Sequence, residues 1–429
     1  MKNILSYHLT ASLIAALAFE PAMADGLSPP FITSWTSSPQ AVWSDEFIFP
    51  TNIPSIIEDQ TVRQAIRVSL GGDSLKIELS NDYGNTPVKL GRVTIGLPEQ
   101  STDIYTLNQT VTVTFAGKSE ATILPGAKLL SDEISIQIPP LANIVVSTYL
   151  PEKTSLETFH WDGRQTNYIV NGDQTHTPTL SSDRIETTAR LFVSSLFVRN
   201  EKGSAIAVIG DSITDGATAG LDNNTRWTDF LAERFYSQDI AVLNAGISGA
   251  RLLSDGMGSN ALSRLDRDVL SKPGVSNLIV LLGINDIAWP GTLFAPDSKS
   301  PSLNTLIEGF NQLAEQAHFR GVKVFVSTLP PFEGALPNTP LDNYYKKEKN
   351  ALRMALNDWI RNADKFDGVI DMEKILQSPD TPNRLNHKYD SGDHLHPGVE
   401  GNRAMAYGFD KEIFTNQAQT VSTQMGAKD

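Results

Sequence analysis

Near Ser204 the hydrophobic pattern of this 429-residue chain changes period, and that change limits the folds open to it. Downstream, short apolar runs at residues 205–209 (AIAVI), 240–244 (IAVLN), 277–282 (NLIVLL), 322–328 (VKVFVST) and 368–371 alternate with helical patterns at 228–235, 303–318, 347–362 and 398–414. Apolar runs without alternation are typical of strands buried on both faces of a parallel sheet, and the intervening helices supply the crossovers. In an open sheet of this kind the ligand site lies beyond the carboxyl ends of the strands.

Upstream, residues 35–199 read as strands and turns. Leu75, Ile77 and Leu79 alternate with Lys76 and Glu78, the period of a half-buried strand. Residues 62–70 and 74–80 flank Gly71-Gly72-Asp73 and read as a hairpin. Residues 110–115, 134–138 and 144–150 have the same character, which predicts an all-β sandwich or jelly roll. The expected organisation is a signal peptide at 1–24, a β-sandwich domain at 31–200, an α/β domain at 204–416 and a tail at 417–429. The short polar link at 200–204 implies that the two domains pack closely.

The leader expectation rests on Lys2, the apolar run 10–19 and the small-x-small site Ala22-Met23-Ala24, with Asp25 as the mature N-terminus and a secreted or periplasmic protein as the consequence. No other stretch reads as a membrane span. A net charge of −14 argues against nucleic acid as a partner, because phosphate binding needs clustered Lys and Arg. Zero cysteines exclude disulfides, thiol nucleophiles and thiolate metal sites.

Four blocks carry candidate chemistry, each at a strand end or in a following loop. GDSITDG (210–216) puts Ser212 directly after a buried strand, where backbone N–H groups can meet a developing oxyanion. NAGISG (244–249) offers the N–H of Gly249. GIND (283–286) offers the Asn285 amide, a neutral donor suited to an anion that exists only in a transition state. In DSGDHLHP (390–397), Asp393 can accept the Nδ1–H of His396 and leave Nε2 free for the serine proton. His394 and Asp390 crowd the same loop. A metal cluster is the competing reading there, but no HExxH motif accompanies it. Structural roles for His394 and Asp390 are expected instead.

Ser212, Gly249, Asn285 and His396, in this order and each in its block, resemble the four namesake residues of the SGNH/GDSL hydrolases. The stretches TDG, RLL, GINDI and YDSGDHLHP are similar to those of secreted bacterial members that carry an N-terminal β domain. The resemblance implies a flavodoxin-like three-layer α/β/α domain and a Ser212–His396–Asp393 triad. It also implies an oxyanion hole from the Ser212 and Gly249 N–H groups and the Asn285 side chain, and no cofactor. Ala250 stands where many members carry an acidic or amide residue. The expected function is a serine esterase acting on short acyl esters, acetyl above all, of carbohydrates or aryl alcohols. A lysophospholipase- or lipase-like acylhydrolase and a glycan-binding module with a weak hydrolase are the alternatives. Trp289, Phe294 and Tyr344-Tyr345 lie in loops that can line a sugar platform, and His160-Trp161 can reach the mouth of the site. The expected partner is a small-molecule or polysaccharide ester, with no obligate protein partner.

Overall fold

The computed structural model describes residues 31–414 apart from 45, 101 and 102; the leader-like segment 1–24 and the tail 417–429 lie outside the described residues. From Phe31 to Arg199 the regular structure among the described residues is antiparallel sheet. One sheet runs Phe31–Thr36, Val193–Arg199, Gly72–Ser80, Lys128–Leu130, with Ile134–Ile138 also paired to Gly72–Ser80. The second runs Arg184–Thr187, Asn167–Asn171, Gln60–Arg67, Asn143–Leu150, Arg92–Gln100, Asp103–Val113. Leu75, Ile77 and Leu79 from the first share one core with Val62, Ile66, Val93, Ile95, Ile144 and Val146 from the second. The predicted alternation at 75–79 is therefore real, with Lys76 and Glu78 turned partly to solvent.

The predicted hairpin is not formed. Gln60–Arg67 pairs with Asn143–Leu150 and Asn167–Asn171, whereas Gly72–Ser80 belongs to the other sheet. Between them Val68 N–H donates to the Ala142 carbonyl and Ser69 N–H to that of Ser34, so residues 68–71 cross from sheet to sheet instead of turning back. Gly71 allows the crossing, since a Cβ there would sit 2.2 Å from the Ile138 carbonyl oxygen. Gly-Gly-Asp between two apolar runs is compatible with a tight turn and with a corner, and local pattern does not separate them.

From Ser204 the chain forms the expected parallel sheet, in the order Ile240–Gly246, Ser204–Gly210, Val275–Leu281, Lys323–Ser327, Gly368–Ile370. The helix Lys347–Asn362 has its predicted bounds, and Leu303–Phe319 extends its expected range by one residue. The closing helix is shorter than expected: Val399–Tyr407 ends at Gly408, and a 3-10 turn, Lys411–Phe414, follows. The order places the first strand between the second and third, so the switch point of the sheet lies at the end of Ser204–Gly210. No described helix is long and apolar enough to cross a membrane.

The antiparallel region abuts the free edge of the parallel sheet. Ser69 Oγ donates to the Val242 carbonyl at 2.9 Å and accepts from Val242 N–H at 3.0 Å, serving both backbone groups of an edge strand with one hydroxyl. Ile32 packs against Gly274, where any Cβ would approach it to 2.8 Å.

Candidate active site

The four sequence blocks converge at the switch point. Strand Ser204–Gly210 runs into a single-turn helix, Ser212–Asp215, capped by Asp211, whose Oδ1 accepts from Ile213 N–H at 3.0 Å. This cap halts the chain in an extended conformation at Asp211 and turns Ser212 into the cavity at once. Ser212 Oγ lies 2.8 Å from His396 Nε2, and His396 Nδ1 lies 2.6 Å from Asp393 Oδ2. Asp393 is acceptor-only when ionised, so Nδ1 donates to it and Nε2 is left to accept the serine hydroxyl proton.

Asp393 is fixed by its own loop. Its Oδ1 accepts the N–H groups of Leu395 and His396 at 2.9 and 2.8 Å, and its carbonyl accepts Leu336 N–H. Burial pushes its carboxyl upward, but the hydrogen bond and charge of His396 and these two N–H groups outweigh burial and hold it well below the usual aspartate range. Asp390 pairs instead with His394, at 2.5 Å from its Nδ1, and accepts Gly392 and His394 N–H. His394 is roughly half exposed and is not among the residues lining the cavity at Ser212. The two Asp–His pairs thus separate, three residues apart for one and four for the other. Among the described residues no group of three His, Asp or Glu is arranged to hold a metal ion.

Gly249 and Asn285 face Ser212 across the cavity. Gly249 has φ +72°, and a Cβ would lie 2.6 Å from Met257 Sδ and 2.8 Å from the Trp289 ring, so the position admits only glycine on both conformational and steric grounds. Among the described residues its N–H has no protein acceptor. The Asn285 amide is held from both ends: Nδ2 donates to the Ala250 carbonyl at 3.0 Å and Oδ1 accepts the Tyr344 hydroxyl at 2.7 Å. This leaves the second Nδ2–H for a ligand. Ala250 therefore takes part through its backbone.

The sequence places Tyr344 among loop aromatics that can line a sugar platform, and its hold on Asn285 has no signal in local pattern, since 59 residues separate them. Of the other aromatics, Trp289, Phe294 and Tyr344 line the cavity with Trp161. Tyr345 does not; its ring packs on Phe332 and its hydroxyl reaches Glu333. His160 is also not at the mouth. It is buried, with Nδ1 donating to the Ser38 carbonyl at 3.1 Å and Nε2 facing Asp215 Oδ1 at 2.9 Å. Asp215, the acid of TDG, also accepts Ser248 N–H and Oγ–H at 2.9 and 2.7 Å. Burial alone would raise its pKa, but the facing His160 and these hydrogen bonds bring it below the ordinary value. One buried carboxylate so ties the antiparallel region to the helix that begins at Ser212 and to the loop carrying Gly249.

Residues 206–409, just under half of the chain, match the family model of the GDSL-like lipases and acylhydrolases. Three similar solved structures are a carbohydrate acetylesterase from Sinorhizobium meliloti (18% identity, 48% of this chain and 96% of that one, TM-score 0.38), the aryl esterase of M. smegmatis (17%, 48% and 96%, 0.38) and a GDSL-like lipase from Bacteroides thetaiotaomicron (18%, 48% and 86%, 0.36). No curated protein is similar enough to match.

Proposed function

Because the chain carries a GDSL-like lipase/acylhydrolase domain and is an ester-bond hydrolase, we propose that it cleaves carboxylic esters through an acyl-enzyme on Ser212. The observation that carries this reading is the unbroken relay from Ser212 Oγ through His396 to Asp393, at 2.8 and 2.6 Å. His396 Nε2 takes the hydroxyl proton as Oγ attacks the ester carbonyl, and then gives it to the departing alkoxide as the carbonyl–oxygen bond breaks. Water enters by the same route, its proton passing to His396 and its oxygen to the acyl carbon, and the carboxylic acid leaves with the serine restored. The negative oxygen of each tetrahedral intermediate is met by Ser212 N–H, Gly249 N–H and the Asn285 amide, donors fixed before reaction and so needing little reorganisation.

The leader-like residues 1–24 support export to the periplasm or medium as part of the same proposal. Short acyl chains fit the small cavity better than the long chains of lipids do. The test is hydrolysis of phenyl acetate by residues 25–429 beside Ser212→Ala. Complete loss in the variant, with an unchanged thermal melt, supports the acyl-enzyme; retained turnover would remove Ser212 from the mechanism.

A further inference from the structure

We infer that the antiparallel region builds one wall of the substrate cavity and thereby selects esters bearing an apolar group of about ring size, a preference acetylated sugars do not satisfy; this rests on the Ser212 acyl-enzyme reading above. The cavity at Ser212 and His396 has a volume of about 180 Å³. A cavity of about 150 Å³ lined by apolar side chains accepts benzene, so the space suits an aryl ring or a short acyl chain.

Phe49 and Trp161, both from the antiparallel region, line it opposite Trp289 and Phe294 of the α/β region. The rings form a continuous chain of contacts, stacked at its two ends and tilted between Phe49 and Phe294. Phe49 lies 5.3 Å from Trp161 and 5.6 Å from Phe294, and Phe294 lies 4.5 Å from Trp289 at an interplanar angle of 21°. At this wall the two regions meet through aromatic faces.

The orientation of the polar edges decides what such a wall can hold. Trp161 Nε1 donates to the Pro50 carbonyl at 2.9 Å, and behind it Trp43 Nε1 donates to the Phe49 carbonyl at 3.0 Å. Both indole N–H groups are thus consumed within the antiparallel region. The remaining wall includes Met257, Leu336, Leu341 and Leu395, and the polar side chains beside them are Ser212, Ser248, Asn285, Tyr344 and His396, which serve the reaction, Asp215 or, for the Tyr344 hydroxyl, Asn285. A sugar seated against this wall would set hydroxyls on apolar side chains, and each hydroxyl that loses its water there without gaining a partner costs more than an apolar contact returns. Phe49 and Trp161 are specificity residues by this argument, and the region carrying them is part of the active site, not an appended module.

The experiment compares kcat/KM for ethyl acetate, phenyl acetate, ethyl pentanoate and xylose tetraacetate in the full-length protein, Phe49→Ala and Trp161→Ala, with Ser212→Ala as control. Phenoxide leaves more readily than a sugar alkoxide, so the decisive quantity is the ratio between variants. Each Ala substitution is expected to lower the preference for phenyl acetate or ethyl pentanoate over the acetylated sugar about tenfold relative to the intact protein. The phenyl and pentanoate arms tell whether the ring-sized group belongs to the alcohol or to the acyl side. Trp161→Phe, which keeps an apolar ring, should recover part of the preference and serves where Trp161→Ala does not fold. Preference for the sugar ester, or ratios unmoved in folded variants, overturns the inference. Hydrolysis that survives Ser212→Ala overturns the acyl-enzyme reading beneath it.

Discussion

Replacing Tyr344 by Phe removes one oxygen atom and tests how the oxyanion donor is held. Tyr344 is 2% exposed and Asn285 4% exposed, so water does not substitute for the lost hydroxyl. Burial, and the nearby carboxylates of Asp211, Asp286 and Asp393, keep the phenol pKa far above its usual value, so it is a permanent donor. In the variant Asn285 Oδ1 is left buried and unpaired, at a cost of about 1–3 kcal/mol. The amide can relieve this only by rotating, and rotation breaks the 3.0 Å bond from Nδ2 to the Ala250 carbonyl and swings the free Nδ2–H away from Ser212. Complete loss of one oxyanion donor costs about 10²–10³ in kcat, so loosening it should cost roughly tenfold. The ring stays as cavity wall, and KM should change less than about twofold. Steady-state kinetics on phenyl acetate, with a thermal melt to follow stability, measure both. Unchanged kcat with a raised KM would mean that Tyr344 is wall only and that Asn285 needs no such anchor.

Asp393→Asn is expected to cut kcat by about 10⁴ with KM nearly intact, because an Asn using its oxygen for Leu395 and His396 N–H presents Nδ2–H to the ring, forcing the proton onto Nε2. If Asp390→Asn proves the more damaging change in the same assay, the pairing at His396 is not the functional one. Gly249→Ala should lower both activity and melting temperature, since its methyl meets Met257 and Trp289 at a φ of +72°; a fully active, equally stable variant would show that the loop yields freely. Asp211 is fully buried, its Oδ2 has no partner, and burial lifts its pKa to about 7. The folded state then holds a proton that the unfolded chain has lost, so stability from this group falls as pH rises from about 4 to about 7. Denaturant melts should therefore show Asp211→Asn gaining on the native protein by up to about 4 kcal/mol between pH 4 and pH 8. A gap that stays constant with pH would show that Asp211 is ionised throughout.

Much of the α/β half was legible because its signals are local. Unalternating apolar runs followed by glycine and a polar block mark strand ends, and the ligand groups of a parallel sheet gather there whatever the loops do. The blocks holding Ser212, Gly249, Asn285, Asp393 and His396 stand out in this way, and the resemblance to the SGNH/GDSL hydrolases supplies their expected roles. The structure brings four of them to one cavity, with Asp393 hydrogen-bonded to His396. The spacing of Asp393 and His396 within one loop also carries its own geometry. The antiparallel half gave up its strand periods but not its pairings. Residues 62–70 and 74–80 look like hairpin arms, and only long-range pairing assigns them to different sheets, because a period of two records which face is buried and not which neighbour lies beside it.

Local sequence therefore marked the candidate chemistry: the proposed nucleophile, base and donors at strand ends of an α/β sheet. Tertiary packing decided what surrounds that chemistry. Tyr344 meets Asn285 across 59 residues, His160 meets Asp215 across 55, and Phe49 reaches Phe294 from the other half of the molecule. None of these contacts leaves a mark in the chain near either partner. Side chains that touch only after distant segments have packed are chosen by shape and by the need to satisfy buried polar groups, and both are properties of the assembled interior.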